Sequence, residues 1–258
     1  MCTAPGHDFG PRAAAAVKEE ERRLTAADGA VLREFVAEPA TGFRRGAVVL
    51  IHDIWGYTEF YKDLARRITQ HGHAAALVDF FGRQGDLPAT MQAPERTGTK
   101  PEAMARARER AQQLSDERFL ADMQTAVDDL QARGAQRVAC WGFCMGGRLA
   151  LMSAARTSGL AGAVSFYGFL QAEPERMSPL VLAPEIRIPI LAVFGGADPG
   201  IPPEQITAFE NAVASNKEVI TYPGAPHGFL RYGAVEHKGA IEDALARTYR
   251  FLSRVLTS

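Results

Sequence analysis

Gly142-Phe143-Cys144-Met145-Gly146-Gly147 is the segment that most constrains how this chain can fold. It follows the apolar run Arg137-Val138-Ala139-Cys140-Trp141 and leads into the helix-like Arg148-Leu149-Ala150-Leu151-Met152. Strand, G-x-C-x-G and helix in succession predict a nucleophile elbow, with cysteine where serine usually sits. Such a turn is too sharp for a Cβ to pass beside the neighbouring strand and helix, which is why glycines flank it. The corner lifts Cys144 to the carboxyl edge of a sheet. There the helix behind it directs N–H groups and the positive end of its dipole at the reacting atom. Helix N-termini of this kind favour thiolates, the attacking form of cysteine. The same residues would also suit a buried structural cysteine in a glycine-rich turn, so the rest of the chain has to decide.

Nucleophile elbows belong to sheets in which an acid and then a histidine follow later in the chain. Ile188-Pro189-Ile190-Leu191-Ala192-Val193-Phe194 reads as a buried strand, and Gly195-Gly196-Ala197-Asp198-Pro199 leaves Asp198 at its carboxyl end. Glu218 to Pro223 reads as a further short strand, and Gly224-Ala225-Pro226-His227-Gly228 places His227 in the loop beyond it. Taken singly, the aspartate could be a turn cap and the histidine a solvated loop residue. Each follows its own strand in the required order, which predicts a Cys144–His227–Asp198 triad.

These residues carry a specific resemblance. The chain resembles the dienelactone hydrolase (carboxymethylenebutenolidase) family, a cysteine-nucleophile branch of the α/β-hydrolase fold. The matching pieces are His52-Asp53-Ile54-Trp55-Gly56, Val78-Asp79-Phe80-Phe81-Gly82-Arg83, Gly142 to Gly147, Ser165-Phe166-Tyr167-Gly168, Gly195 to Asp198, and His227-Gly228-Phe229-Leu230-Arg231. They run in the family's order from about Arg22 to the C-terminus. The resemblance implies hydrolysis of the ester bond of dienelactone-like, anionic butenolides through a cysteine thioester, without metal or organic cofactor. Two other readings share the sequence: a general carboxylesterase or thioesterase with the same triad, and a non-catalytic binding module.

Acyl transfer also needs two backbone donors for the oxyanion. The N–H after the nucleophile, on Met145, is one; the resemblance implies Ile54 as the other, with Gly56 letting its loop turn tightly. The resemblance further implies an acidic residue at position 53 that gates the thiol's proton as substrate enters. The family pattern is glutamate. Asp53 is one methylene shorter, and a hydrogen bond tolerates only a few tenths of an ångström, so a loop cap or a water-mediated contact are its competing roles. Arg231 is implied as a binder of the substrate carboxylate, for which a planar guanidinium fork is suited. A second such arginine is expected among Arg96, Arg106, Arg108 and Arg110, with Arg108 preferred. Trp55, Tyr61, Phe81 and Phe229 are candidates for apolar walls or for core.

A chain of 258 residues is long enough for one α/β domain with a core that needs no disulfide or metal. Alternating β and α runs predict a mostly parallel, doubly wound sheet with helices on both faces, over residues 21–258. Residues 1–20 read as a mobile tail. A net charge of −1 with interspersed signs gives no nucleic-acid footprint. Cys2, Cys140 and Cys144 form no disulfide or zinc framework, so reduced thiols and a cytoplasmic location are expected. No apolar run reaches signal-peptide or membrane-span length. A monomer or weak homo-oligomer acting on a small ester is expected. In detail, a hairpin is predicted over Arg22–Thr25 and Val31–Ala37, strands at 47–51, 74–78 and 163–166, and helices at 60–70, about 101–132 and 241–255.

Overall fold

The structure, a computed structural model, describes residues 18–85, 101–171, 175–232 and 235–257. Strands β1 (Lys18–Thr25) and β2 (Val31–Glu38) form the predicted antiparallel hairpin, with Leu24 opposite Leu32. At its turn the Asp28 carboxylate accepts the Ala30 N–H at 3.1 Å. The strand starts earlier than expected, because Lys18, Glu19 and Glu20, assigned from sequence to a mobile tail, pair with Glu38, Ala37 and Val36. The remainder of that tail lies outside the described residues.

The chain continues through β3 (Ala47–Ile51), α1 (Glu59–Gln70), β4 (Ala74–Val78), α2 (Pro101–Gln113) and α3 (Asp116–Ala132). Next come β5 (Val138–Phe143), α4 (Met145–Arg156), β6 (Leu160–Phe166), α5 (Pro179–Leu182) and β7 (Ile190–Gly195). The last elements are α6 (Pro203–Ala212), β8 (Lys217–Tyr222), α7 (Phe229–Tyr232) and α8 (Lys238–Thr257). The eight strands form one sheet in the order β1-β2-β4-β3-β5-β6-β7-β8. It is antiparallel at the β1/β2 and β2/β4 pairs and parallel from β4 to β8. Every residue of β3, β4, β5 and β7 is buried, as a strand covered on both faces requires.

Strand β5 shows how the two faces are covered. Successive residues of a strand point to opposite sides. Trp141 meets Tyr249 of α8 edge-on at 6.1 Å, whereas Cys140 lies against the Ala150 carbonyl of α4. Helices α4 and α8 therefore pack on opposite faces. His71, at the end of α1, stacks on Tyr249 at 3.7 Å, placing α1 with α8. Helix α1 buries Tyr61, Leu64, Ala65 and Ile68, the i, i+3, i+4, i+7 stripe of an amphipathic helix.

One sequence expectation is corrected. The stretch 101–132 is two helices, because Ser115 is extended (φ −73°, ψ 150°) and its hydroxyl accepts the Arg118 N–H at 3.2 Å. That N-cap starts a new helix, and the preceding Leu114 turns into the core.

The chain order reverses between β3 and β5, which are neighbours although β4 was laid down on the far side of β3. Crevices at the carboxyl edge beside such a switch point are where open α/β sheets bind ligands. Helix α4 reaches this edge only because Gly146 has no Cβ: one there would overlap the carbonyl oxygens of Ile51 and His52. The Gly146→Ala variant is accordingly expected to lose about 3 kcal/mol of unfolding free energy, read from the denaturant midpoint, and an unchanged midpoint would show that β3 and α4 can separate.

Candidate active site

Cys144 joins β5 to α4 with φ 54° and ψ −116°, a conformation costly for a residue with a Cβ. The strain is held in place from both sides. The Cys144 N–H donates to the Phe166 carbonyl at 2.9 Å, and its own carbonyl accepts the Arg148 N–H at 3.1 Å. A Cβ on Gly147 would lie 2.7 Å from the Phe166 carbonyl oxygen, so the glycines expected at the elbow are required by close approach. Cys144 lines a cavity of about 390 Å³ together with Ile54 and Met145. The N–H groups of Ile54 and Met145 make no hydrogen bond among the described residues. Ile54 lies inside a tight turn closed by Gly56 (φ 81°), whose N–H donates to the Asp53 carbonyl at 3.1 Å. Two free donors thus stand beside the sulfur at the switch point.

Asp198 and His227 meet as their strands predict. Asp198 follows β7, is buried, and its Oδ1 accepts the Gly200 N–H at 2.9 Å. Its Oδ2 lies 2.5 Å from Nδ1 of His227, in the loop after β8. The other ring nitrogen, Nε2, has no hydrogen-bond partner of regular geometry, yet the Cys144 sulfur is close enough to act on it electrostatically. Hydrogen bonds of this type commonly tighten only when substrate is bound. Burial lowers the imidazole's affinity for its proton. The Asp198 hydrogen bond and the neighbouring Cys144 outweigh that and push its pKa up to about 10. The ring is held flat against Phe169 at 5.1 Å and edge-on to Tyr167 at 5.2 Å. Phe169 also lines the cavity.

The two arginines selected from sequence part company. Arg108, on α2, lines the cavity, is exposed, and has no polar partner among the described residues. Of its competitors, Arg110 donates to the Gly85 carbonyl at 2.7 Å and covers the Phe81 ring. Arg106 does not line the cavity, and Arg96 lies outside the described residues. Arg231, by contrast, is only 3% exposed and is not a lining residue. Its Nη1 donates to Asp53 Oδ2 at 2.7 Å, and Phe60 and Tyr61 lie against the guanidinium. The structure does not bring Arg231 to the surface a substrate would touch, since a buried guanidinium keeps its carboxylate partner at hand. Asp53 is committed as well: its Oδ1 accepts the Trp55 N–H at 2.9 Å, and its backbone N–H donates to Tyr61 at 3.0 Å.

Trp55, Tyr61, Phe81 and Phe229 are core residues, none of them lining the cavity. Its apolar lining is Phe169 with Ile54, Ala111 and Met145, and Gln112, Gln171, Arg148 and Arg176 supply polar lining. Tyr167 and Phe169 escaped the sequence reading as neighbours of His227. The signal was the quoted Ser165-Phe166-Tyr167-Gly168, in which Tyr167 has φ 41°, a second strained residue at the site. Among the described residues no group of three or more His, Cys, Asp or Glu side chains is placed to hold a metal ion. No helix there is long and apolar enough to cross a membrane.

Residues 32–256 match the model of the dienelactone hydrolase family. A Saccharolobus solfataricus protein, provisionally named a carboxymethylenebutenolidase, is 30% identical over 88% of this chain and 96% of its own length. An Escherichia coli protein with the same provisional name is 29% identical over 78% of this chain and 73% of that one. Among solved structures, a Klebsiella pneumoniae protein provisionally described as a dienelactone hydrolase superposes with a TM-score of 0.77 at 25% identity. That match covers 92% of this chain and 99% of the other.

The raised His227 pKa carries a definite sign. The imidazolium's contribution to stability is complete below pH 6.5 and is lost as pH rises through about 10. In an NMR titration the His227 ring is expected to change protonation near pH 10, and nearer its ordinary value in Asp198→Asn. A ring titrating near 6.5 in the unaltered protein would contradict the arrangement.

Proposed function

The chain belongs to the dienelactone hydrolase family, and on that premise we propose that it opens the ester bond of an anionic, butenolide-type lactone through a thioester on Cys144. The observation that carries this reading is the 390 Å³ cavity, where a strained cysteine meets two N–H donors and one guanidinium that have no partner among the described residues. His227, oriented by Asp198, holds the proton of the Cys144 thiol, and the thiolate attacks the lactone carbonyl. The tetrahedral oxyanion is received by the N–H groups of Ile54 and Met145, contacts worth several kcal/mol in a dry site. Ring opening expels a delocalised oxygen leaving group, which suits a sulfur nucleophile, and His227 supplies the proton.

Acylation then changes the imidazole. One of the two influences that lift its pKa is the neighbouring Cys144, and a thioester sulfur carries no charge. The ring therefore gives up its proton more readily in the acyl-enzyme, as a base for the hydrolytic water must. Arg108 receives the substrate carboxylate, its guanidinium being the one in the cavity with no protein partner among the described residues. The sequestration of Arg231 by Asp53 favours a second reading, in which neutral esters are handled nearly as well and the protein is a general carboxylesterase.

Replacing Arg108 separates the two. In Arg108→Ala the KM for an anionic dienelactone is expected to rise about tenfold or more, the loss of one charge-assisted contact, with little change for p-nitrophenyl acetate. Equal small effects on both substrates would favour the generalist. Asp53 can gate the thiol only after leaving Arg231. If it does, Asp53→Asn shifts the pH dependence of Cys144 alkylation by iodoacetamide, whereas an unchanged profile would leave Asp53 the structural role of closing its loop.

A further inference from the structure

Arg108 stands on a helix with little apolar anchorage. Helix α2 buries one side chain, Ala107, and the rest of its residues are exposed or half-buried. Apart from Ala111, which packs against the core, its ties to the described residues are polar. On one side Arg110 donates to the Gly85 carbonyl, and Gln84 donates to the Arg110 carbonyl at 3.1 Å. At its carboxyl end the last carbonyls would lack intrahelical donors. Arg176 supplies them: its Nη2 donates to the carbonyls of Ala111 and Gln112 at 3.1 and 2.7 Å, and its Nη1 to that of Leu114. A guanidinium at this end also sits favourably against the helix dipole.

The same side chain ties α2 to the helix that carries the nucleophile. Arg176 Nη1 is 3.3 Å from Asp116 Oδ1, at the start of α3. Asp116 is buried, and it accepts both Arg148 Nη2 at 2.5 Å and the Met177 N–H at 2.6 Å. Arg148 lies on α4, in the first turns behind Cys144. A continuous polar path thus runs from α4 through Arg148, Asp116 and Arg176 to the end of α2. Both arginines line the cavity, but the Nη groups of Arg176 are spent on protein oxygens, so it frames the site while Arg108 remains able to donate.

We propose that Arg176 is a positioning residue for substrate selection: by holding the carboxyl end of α2 against the Asp116–Arg148 pair, it sets where the Arg108 guanidinium stands relative to Cys144. The proposal rests on the reading of Arg108 given above and adds the residue through which its selectivity depends on the frame. Lysine keeps a positive charge beside Asp116, but one ammonium cannot reproduce a planar fork spanning three carbonyls and a carboxylate.

The test is Arg176→Lys, with Arg176→Gln serving if the lysine variant does not fold. The ratio of kcat/KM for an anionic dienelactone to that for p-nitrophenyl acetate is expected to fall about tenfold, chiefly through KM. Amide hydrogen exchange should quicken in α2 and not in α4. In an Arg108→Ala background the same change should lower the ratio no further, the non-additivity expected of residues acting through one another. An additive loss, an equal fall on both substrates, or unaltered exchange in α2 would overturn the proposal. If Arg108→Ala alone leaves the ratio unchanged, the anion-binding reading fails instead, and the exchange measurement still decides whether Arg176 holds α2.

Discussion

The site depends on how closely a helix can approach a sheet. Gly142 on β5 and Gly146 and Gly147 in the first turn of α4 have no room for a Cβ, the obstacles being backbone atoms rather than movable side chains. That contact leaves one way to join strand to helix, with Cys144 at positive φ. A strained residue persists only where its surroundings over-determine it, and here the Phe166 carbonyl of β6 and the Arg148 N–H of α4 do so. The strain projects the sulfur past the sheet edge, beside the Met145 N–H of the new helix and the Ile54 N–H beyond β3. The positions of the sulfur and of the two N–H groups are therefore consequences of one packing contact.

Charge is distributed on the same frame with a clear division of labour. Asp53 and Arg231 form a buried pair that closes the loop after β3, and the buried Asp116 holds the half-buried Arg148 and Arg176, tying α2, α3 and α4 together. Breaking such pairs strands a charge at a cost of about 3–5 kcal/mol, which makes them good structural ties and poor substrate ligands. Arg108 has no such tie among the described residues, which is why the proposed anion contact falls to it. His227 takes the third part, its proton held by a buried carboxylate on one side and a sulfur on the other.

Much of this was legible in the sequence because local pattern and global fold agree. The apolar runs of β3, β4 and β7 could only be strands covered on both faces, and their order fixed which carboxyl ends would carry Ile54, Cys144, Asp198 and His227. What escaped notice depended on tertiary partners. The break at Ser115 does carry a local start signal, a serine followed by Asp116 and Glu117, but it sits in a run that otherwise favours helix, and burial of Leu114 completes it. The spacing of Arg231 from His227 matched the family pattern, but spacing carries no information about the Asp53 carboxylate that draws the guanidinium inward. Arg176, in a stretch without periodicity, gave no signal, since its role exists only where the end of one helix meets the start of another.

The proposed chemistry turns on a covalent bond to one sulfur. Rapid quenching of the protein during turnover of an ester substrate, followed by mass spectrometry of the peptide containing Cys144, addresses that bond directly. The predicted result is an acyl adduct of the substrate's mass on Cys144, present during turnover and gone once the substrate is consumed. Full turnover with Cys144 unmodified at every quench time, or retained by Cys144→Ala, would contradict it.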